Sequence, residues 1–265
     1  MPEPTVYASL AADGEGVDAL VAGLSPDGWS TPTPAVGWTV AHQIAHLAAT
    51  FRLAGLAASR PEDFKTLMAG LTTNFNSNVD HALAEYLAEP PEVLLRRWRH
   101  ERAWAQSALT AVAPDQPVPW LVRPIPAGVL AAAGMMELFA HGQDVADALG
   151  ARRTHTDRLE HLVAFAVRTW DFGYQGRGLT PPDAEFRFEI TLPSGRLWQY
   201  GPQDGQRITG PAVDFCLLVS RRRHRDDLAV KAEGADADAW LDLAQAYRGP
   251  AGTGRQPGQF AALQG

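Results

Sequence analysis

The stretch Ala127-Gly128-Val129-Leu130-Ala131-Ala132-Ala133-Gly134-Met135-Met136-Glu137-Leu138-Phe139-Ala140-His141-Gly142-Gln143-Asp144-Val145-Ala146-Asp147-Ala148-Leu149 decides the fold. It reads as one long helix. A Pro-rich loop from Pro114 to Pro126 leads into it, and Gly150 supplies its stop. Its longest weakly charged part, Ala127 to Ala140, falls short of the ~20 residues a membrane span needs, so no span is expected. Upstream, apolar periodicity predicts helices over Val6 to Leu24, from the Thr39 cap to about Leu56, and over Pro91 to Val112. Between the last two lies a less regular stretch around Thr72 to Asn78. Four long helices of this kind predict an up-and-down bundle.

Downstream the period changes. After a helix over Arg158 to Trp170, Gly173, Gly176, Gly178 and Pro181-Pro182 mark a boundary near residue 175. Glu185 to Ile190 alternates as a half-buried strand, and Pro193-Ser194-Gly195 turns it into Leu197-Trp198-Gln199-Tyr200. A strand near Ile208, a helix over Pro211 to Ser220, a strand at Leu228 to Lys231 and a helix over Asp236 to Tyr247 complete a small α+β unit. The expected organisation is α+β overall, with a helical bundle at residues 1–175 and an α+β domain at 176–265.

Composition narrows the function. The 265 residues carry 30 Asp and Glu against 23 Lys and Arg, a net charge of −7, which argues against nucleic acid or an anionic membrane as partner. A small-molecule substrate remains as the expected partner, and monomer and homodimer both stay open. The first basic residue is Arg52, so neither a secretory signal nor an Arg-rich transit peptide is expected, and a cytoplasmic protein is. Cys216 is the only cysteine and sits in an apolar run, where it reads as a small buried hydrophobe.

Two helix-borne pairs can carry chemistry. His42 and His46 stand one turn apart on one predicted helix, Glu137 and His141 on another, each pair on one face. Imidazole and carboxylate suit zinc and related divalent ions, and two His with one Glu leave a position open for water or substrate. Each pair alone reads first as a hydrogen-bonded or solvated helical face.

Thr33 to Leu47, with Trp38-Thr39-Val40-Ala41-His42-Gln43-Ile44-Ala45-His46-Leu47, resembles the first motif of the mycothiol-dependent maleylpyruvate isomerase family, within the DinB-like metalloenzymes. Met136 to Gly150 resembles its second motif. Gly210 to Leu218 and Arg221 to Asp227 resemble an actinobacterial metal-binding branch of it. The resemblance implies a DinB-like four-helix bundle followed by a sterol-carrier-like α+β domain, with His46, Glu137 and His141 as ligands of a divalent metal. Zinc is the first choice, and nickel, iron and manganese also suit the set. It also implies mycothiol as cosubstrate, its thiolate attacking a small electrophilic acid in an isomerase or transferase reaction.

Departures from the family set further expectations. His42 replaces an Asp that supports the helix start, and reads as either a neutral surface replacement or a proton-transfer group near His46. Gly134 stands where an Arg is common, removing a cation beside the metal helix, and Phe139 replaces a Trp. Asp144 can orient a ligand imidazole or cap the helix. Arg221, Arg222 and Arg223 can bind a substrate carboxylate or form a solvated charge run. A remodelled pocket admits a thiol-independent cyclase, hydrolase or rearrangement enzyme, and the scaffold also admits a non-enzymatic metal- or ligand-binding protein.

Overall fold

A computed structural model describes residues 5–260. The chain divides into two compact units, 1–152 and 153–265. The first contains helices α1 (Val6–Val21), α2 (Pro26–Trp29), α3 (Val40–Ser59), α4 (Pro61–Ala69), α5 (Phe75–Leu87), α6 (Pro91–Thr110) and α7 (Ala127–Leu149), with a two-residue ribbon of β1 (Pro117–Val118) and β2 (Ile125–Pro126) before α7. The four long helices α1, α3, α6 and α7 form the bundle, in which α3 packs on both α6 and α7. Each follows from its sequence. Thr5 accepts a hydrogen bond from Ala8 N at the start of α1, Pro91 occupies the first turn of α6, and Gly150 ends α7 with φ of 62°.

Burial drives the assembly. Leu10 and Val17 of α1, Ile44, Leu47 and Phe51 of α3, Leu94 and Trp98 of α6, and Leu130 and Met135 of α7 are buried in one cluster. The Phe51 and Trp98 rings meet edge to face with centroids 5.3 Å apart. The α5 helix overlaps the stretch that reads as irregular. It forms because the Asn74 side chain caps it, accepting from Ser77 N at 3.0 Å, and because Leu83 and Tyr86 are buried.

The second unit contains α8 (Leu159–Arg168), α9 (Phe172–Gln175), β3 (Phe186–Thr191), β4 (Leu197–Tyr200), β5 (Gln206–Pro211), α10 (Ala212–Val219), β6 (Lys231–Glu233) and α11 (Ala235–Leu243). Its sheet runs β4-β3-β5-β6, with β3 and β5 parallel and both outer pairings antiparallel. Phe186, Phe188, Phe215 and Trp240 form its aromatic core. The strand expected at Leu228 to Lys231 begins only at Lys231, because Asp214 Oδ2 accepts from Ala229 N at 2.7 Å and holds that residue out of the ladder.

The division between units corrects the boundary expected at 175/176: it falls between Arg152 and Arg153. The helix over Leu159–Arg168 belongs with the sheet. It packs on α10, and just before it Asp157 accepts from Ser194 N at 2.9 Å and Ser194 Oγ at 2.6 Å in the β3–β4 turn. The Trp240 indole N–H donates to Trp170 O at 2.8 Å. Among the described residues no helix is long and apolar enough to cross a membrane.

Candidate metal centre

Helices α3 and α7 bring His46, Glu137 and His141 together. One ligand atom from each lies within 4.8 Å of the others. Glu137 Oε2 stands 3.3 Å from His46 Nε2 and 3.1 Å from His141 Nε2, and the imidazole centroids are 4.4 Å apart. These separations are those of donors around one ion: tetrahedral zinc bonds of ~2.0–2.1 Å place neighbouring ligand atoms about 3.3 Å apart. The three side chains are 20%, 21% and 13% exposed, so the cluster has a solvent-facing side rather than the closure of a structural site.

The electrostatics point the same way. Burial alone would raise the Glu137 carboxyl, but hydrogen bonds from His141 and His46 outweigh it and hold the group well below the usual carboxylate range. The carboxylate thus stays charged, facing both imidazole Nε2 atoms at hydrogen-bond distance.

A buried network fixes one ligand. His141 Nδ1–H donates to Gln43 Oε1 at 2.5 Å, leaving Nε2 toward Glu137. Gln43 Nε2 donates to Thr33 Oγ1 at 2.9 Å, and the Thr33 hydroxyl donates to Trp38 O at 2.9 Å. Gln43 is fully buried on α3, and nothing in the sequence reading singled it out. A signal was present: positions 40, 43, 44 and 47 form the buried stripe of this helix, and Gln43 is its one polar member. Asp144 is also fully buried, its Oδ2 3.5 Å from Gln43 Nε2. The Trp38 ring covers the imidazoles, its centroid 5.5 Å from His46 and 6.0 Å from His141.

His42 has a different task. Thr39 N–H donates to His42 Nδ1 at 3.3 Å and the Thr39 hydroxyl lies 2.8 Å from it, so the imidazole serves as the return arm of a capping box. Burial lowers its pKa, which suits an unprotonated Nδ1 that accepts. It lies outside the three-residue cluster. Gly134 is occupied by packing: a Cβ there would lie 3.0 Å from Leu10 Cδ1 and 3.8 Å from Phe51 Cζ. Cys216 is buried. Arg221, Arg222 and Arg223 follow α10 in the second unit, where the Arg223 guanidinium lies over the Phe260 ring at 3.7 Å. A separate cleft of about 530 Å³ opens beside α3 and α6, lined by Arg52, Arg60, Glu101 and Trp104 among others, and no cluster residue borders it.

Fold and cluster together define the class of helical-bundle proteins that build a site from inward side chains on facing helices. Comparison with known proteins narrows that class. The chain belongs to the mycothiol maleylpyruvate isomerase N-terminal domain family, whose model matches residues 10–146. Two uncharacterized proteins of Mycobacterium tuberculosis, from strains CDC 1551 / Oshkosh and ATCC 25618 / H37Rv, are each 45% identical over 255 residues, covering 96% of this chain and 99% of theirs. Crystal structures of the mycothiol-dependent maleylpyruvate isomerase, wild type and a histidine-to-alanine variant, share the fold with TM-score 0.56 at 16% identity, over 88% of this chain and 94% of theirs.

Proposed function

We propose that the chain is a divalent-metal-dependent enzyme that activates a thiol for attack on a small, acidic electrophile, as an isomerase or S-transferase. The convergence of His46, Glu137 and His141 with a solvent-facing side carries this reading. The family supports mycothiol as the thiol, and the donor set supports zinc. When bound, the ion supplies the Lewis acidity that keeps a thiol, or water, as its conjugate base at neutral pH.

The protein's own groups set the conditions. Gln43 fixes the tautomer of His141 so that Nε2 is presented for ligation, and Glu137 supplies the one negative charge. Trp38 covers the imidazole faces and limits water on that side. Cys216 is buried in the second unit, so the attacking thiol comes from the cosubstrate.

The test is a turnover assay of the purified protein with mycothiol and a panel of unsaturated and halogenated acids, beside Glu137→Gln. The expected result is thiol-dependent conversion that falls at least 100-fold in the variant. Conversion of the acids at equal rate without thiol would replace this reading by the thiol-independent one.

A further inference from the structure

The cleft beside α3 and α6 is walled by one stripe from each helix. Arg52, Leu56 and Arg60 follow one another at four-residue spacing on α3, and Arg97, Glu101 and Trp104 line one face of α6. At 1.5 Å per residue the α3 stripe runs about 12 Å. The volume of about 530 Å³ is that of a small-molecule site.

Both ends of the cleft are held by contacts. At one, Glu85 of α5 joins two guanidiniums: Arg52 Nη1 donates to its Oε1 at 2.7 Å, and Arg97 Nη2 donates to the same oxygen at 2.8 Å. Arg97 Nη1 also donates to Glu85 O at 3.2 Å, and its Cζ lies 4.1 Å over the Tyr86 ring. At the other end Trp104 lies against the α3 backbone, where a Cβ on Gly55 would come 2.9 Å from Cε3. Arg60 rests over the Trp104 ring, with Cζ 5.1 Å from its centroid. Its Nη1 stands 4.0 Å from Asp63 Oδ2, in a pair whose side chains are 62% and 63% exposed.

Glu101 stands between Arg97 and Trp104 on α6. It is 8% exposed and lines the cleft, and among the described residues no hydrogen bond or ion pair holds its carboxylate. Burial pushes the carboxyl up, opposed by the fields of Arg52, His100 and Arg97. A buried carboxylate in this position calls for a donor. A bare cation would meet three guanidiniums against two carboxylates, and a bare anion would face Glu101. A ligand carrying both charges meets neither obstacle.

We propose that this cleft binds a small α-amino acid, its ammonium on Glu101 and its carboxylate on Arg60. Arg52 and Arg97 are already joined to Glu85, which leaves the Arg60 guanidinium for the ligand. Glu101 lies one turn from Trp104 and Arg60 lies over that ring, a short span that suits two charges carried on one carbon. No metal-cluster residue borders the cleft, so the proposal is independent of the metal reading.

The test is thermal denaturation and calorimetric titration of the full chain at constant ionic strength with L-norvaline, with butylamine, which lacks its carboxylate, and with pentanoate, which lacks its ammonium. Wild type is expected to show a saturable rise in Tm with norvaline and at least tenfold weaker binding of the other two. Glu101→Gln and Arg60→Gln should each lower norvaline affinity at least tenfold. His141→Ala should bind norvaline as wild type does, which separates the cleft from chelation at the metal centre. Without ligand, Glu101→Gln should melt at or above wild type, because the amide replaces a buried charge that no protein group holds. The proposal fails if norvaline gives no saturable response, if butylamine or pentanoate binds as tightly, if either glutamine variant binds as wild type does, if His141→Ala abolishes binding, or if Glu101→Gln melts lower without ligand.

Discussion

His42 stands one turn from a candidate ligand, yet its Nδ1 is committed to Thr39 at the start of α3. His42→Ala should therefore cost about 1 kcal/mol, the worth of a helix cap, and leave metal affinity near wild type. His42→Asp should keep the stability, since a carboxylate accepts from the same N–H and suits the helix start. Urea denaturation and metal titration of both variants check this. Gln43 is the reverse case: buried and unadvertised, it orients the His141 ring. Gln43→Leu should weaken metal binding roughly 10–100-fold, the usual effect of losing a partner behind a ligand, as read in a chelator competition assay.

At the scale of elements, α1 and α7 close on Gly134. Gly134→Arg forces a long side chain against Leu10 and should destabilise the fold by about 1–3 kcal/mol, measured by urea denaturation, without restoring a cation beside the metal helix. Periodicity made α1, α3, α6, α7 and the β3–β4 hairpin legible, because each buries one regular face. It missed α5, whose amphipathic pattern is thin and whose start depends on Asn74. Alternation also gives no sign that Arg187 of β3 is buried. The structure buries it, with Nε 3.2 Å from Glu189 Oε1 and Nη1 donating to Gly201 O at 2.9 Å. Parallel pairing of β3 with β5 was likewise out of reach, since alternation along one strand does not specify its neighbours.

Across the whole molecule, residue spacing located the two histidine-bearing motifs without choosing between His42 and His46; the resemblance implied His46, and the packing of α3 on α7 brings it beside Glu137 and His141. The boundary moved because Gly and Pro mark turns, whereas α8 is bound to the sheet by Asp157 and its own packing on α10. Stability should depend on pH through the second unit. Burial, reinforced by Arg153 and Arg158, pushes the His155 imidazole down to about 4. The unfolded chain takes up a proton near 6.5 that the folded chain refuses, so stability present above about pH 6.5 declines as pH falls toward 4. His155→Gln should flatten that slope in denaturation curves taken at about pH 7 and pH 4.5.

The central claim is that His46, Glu137 and His141 hold one divalent ion. Elemental analysis of protein purified without a polyhistidine tag tests it most directly. The account predicts close to one equivalent of zinc, or of a related divalent metal, per chain, lost in folded His141→Ala and Glu137→Gln proteins. A well-folded wild-type protein that contains no metal and takes none up on titration would contradict it.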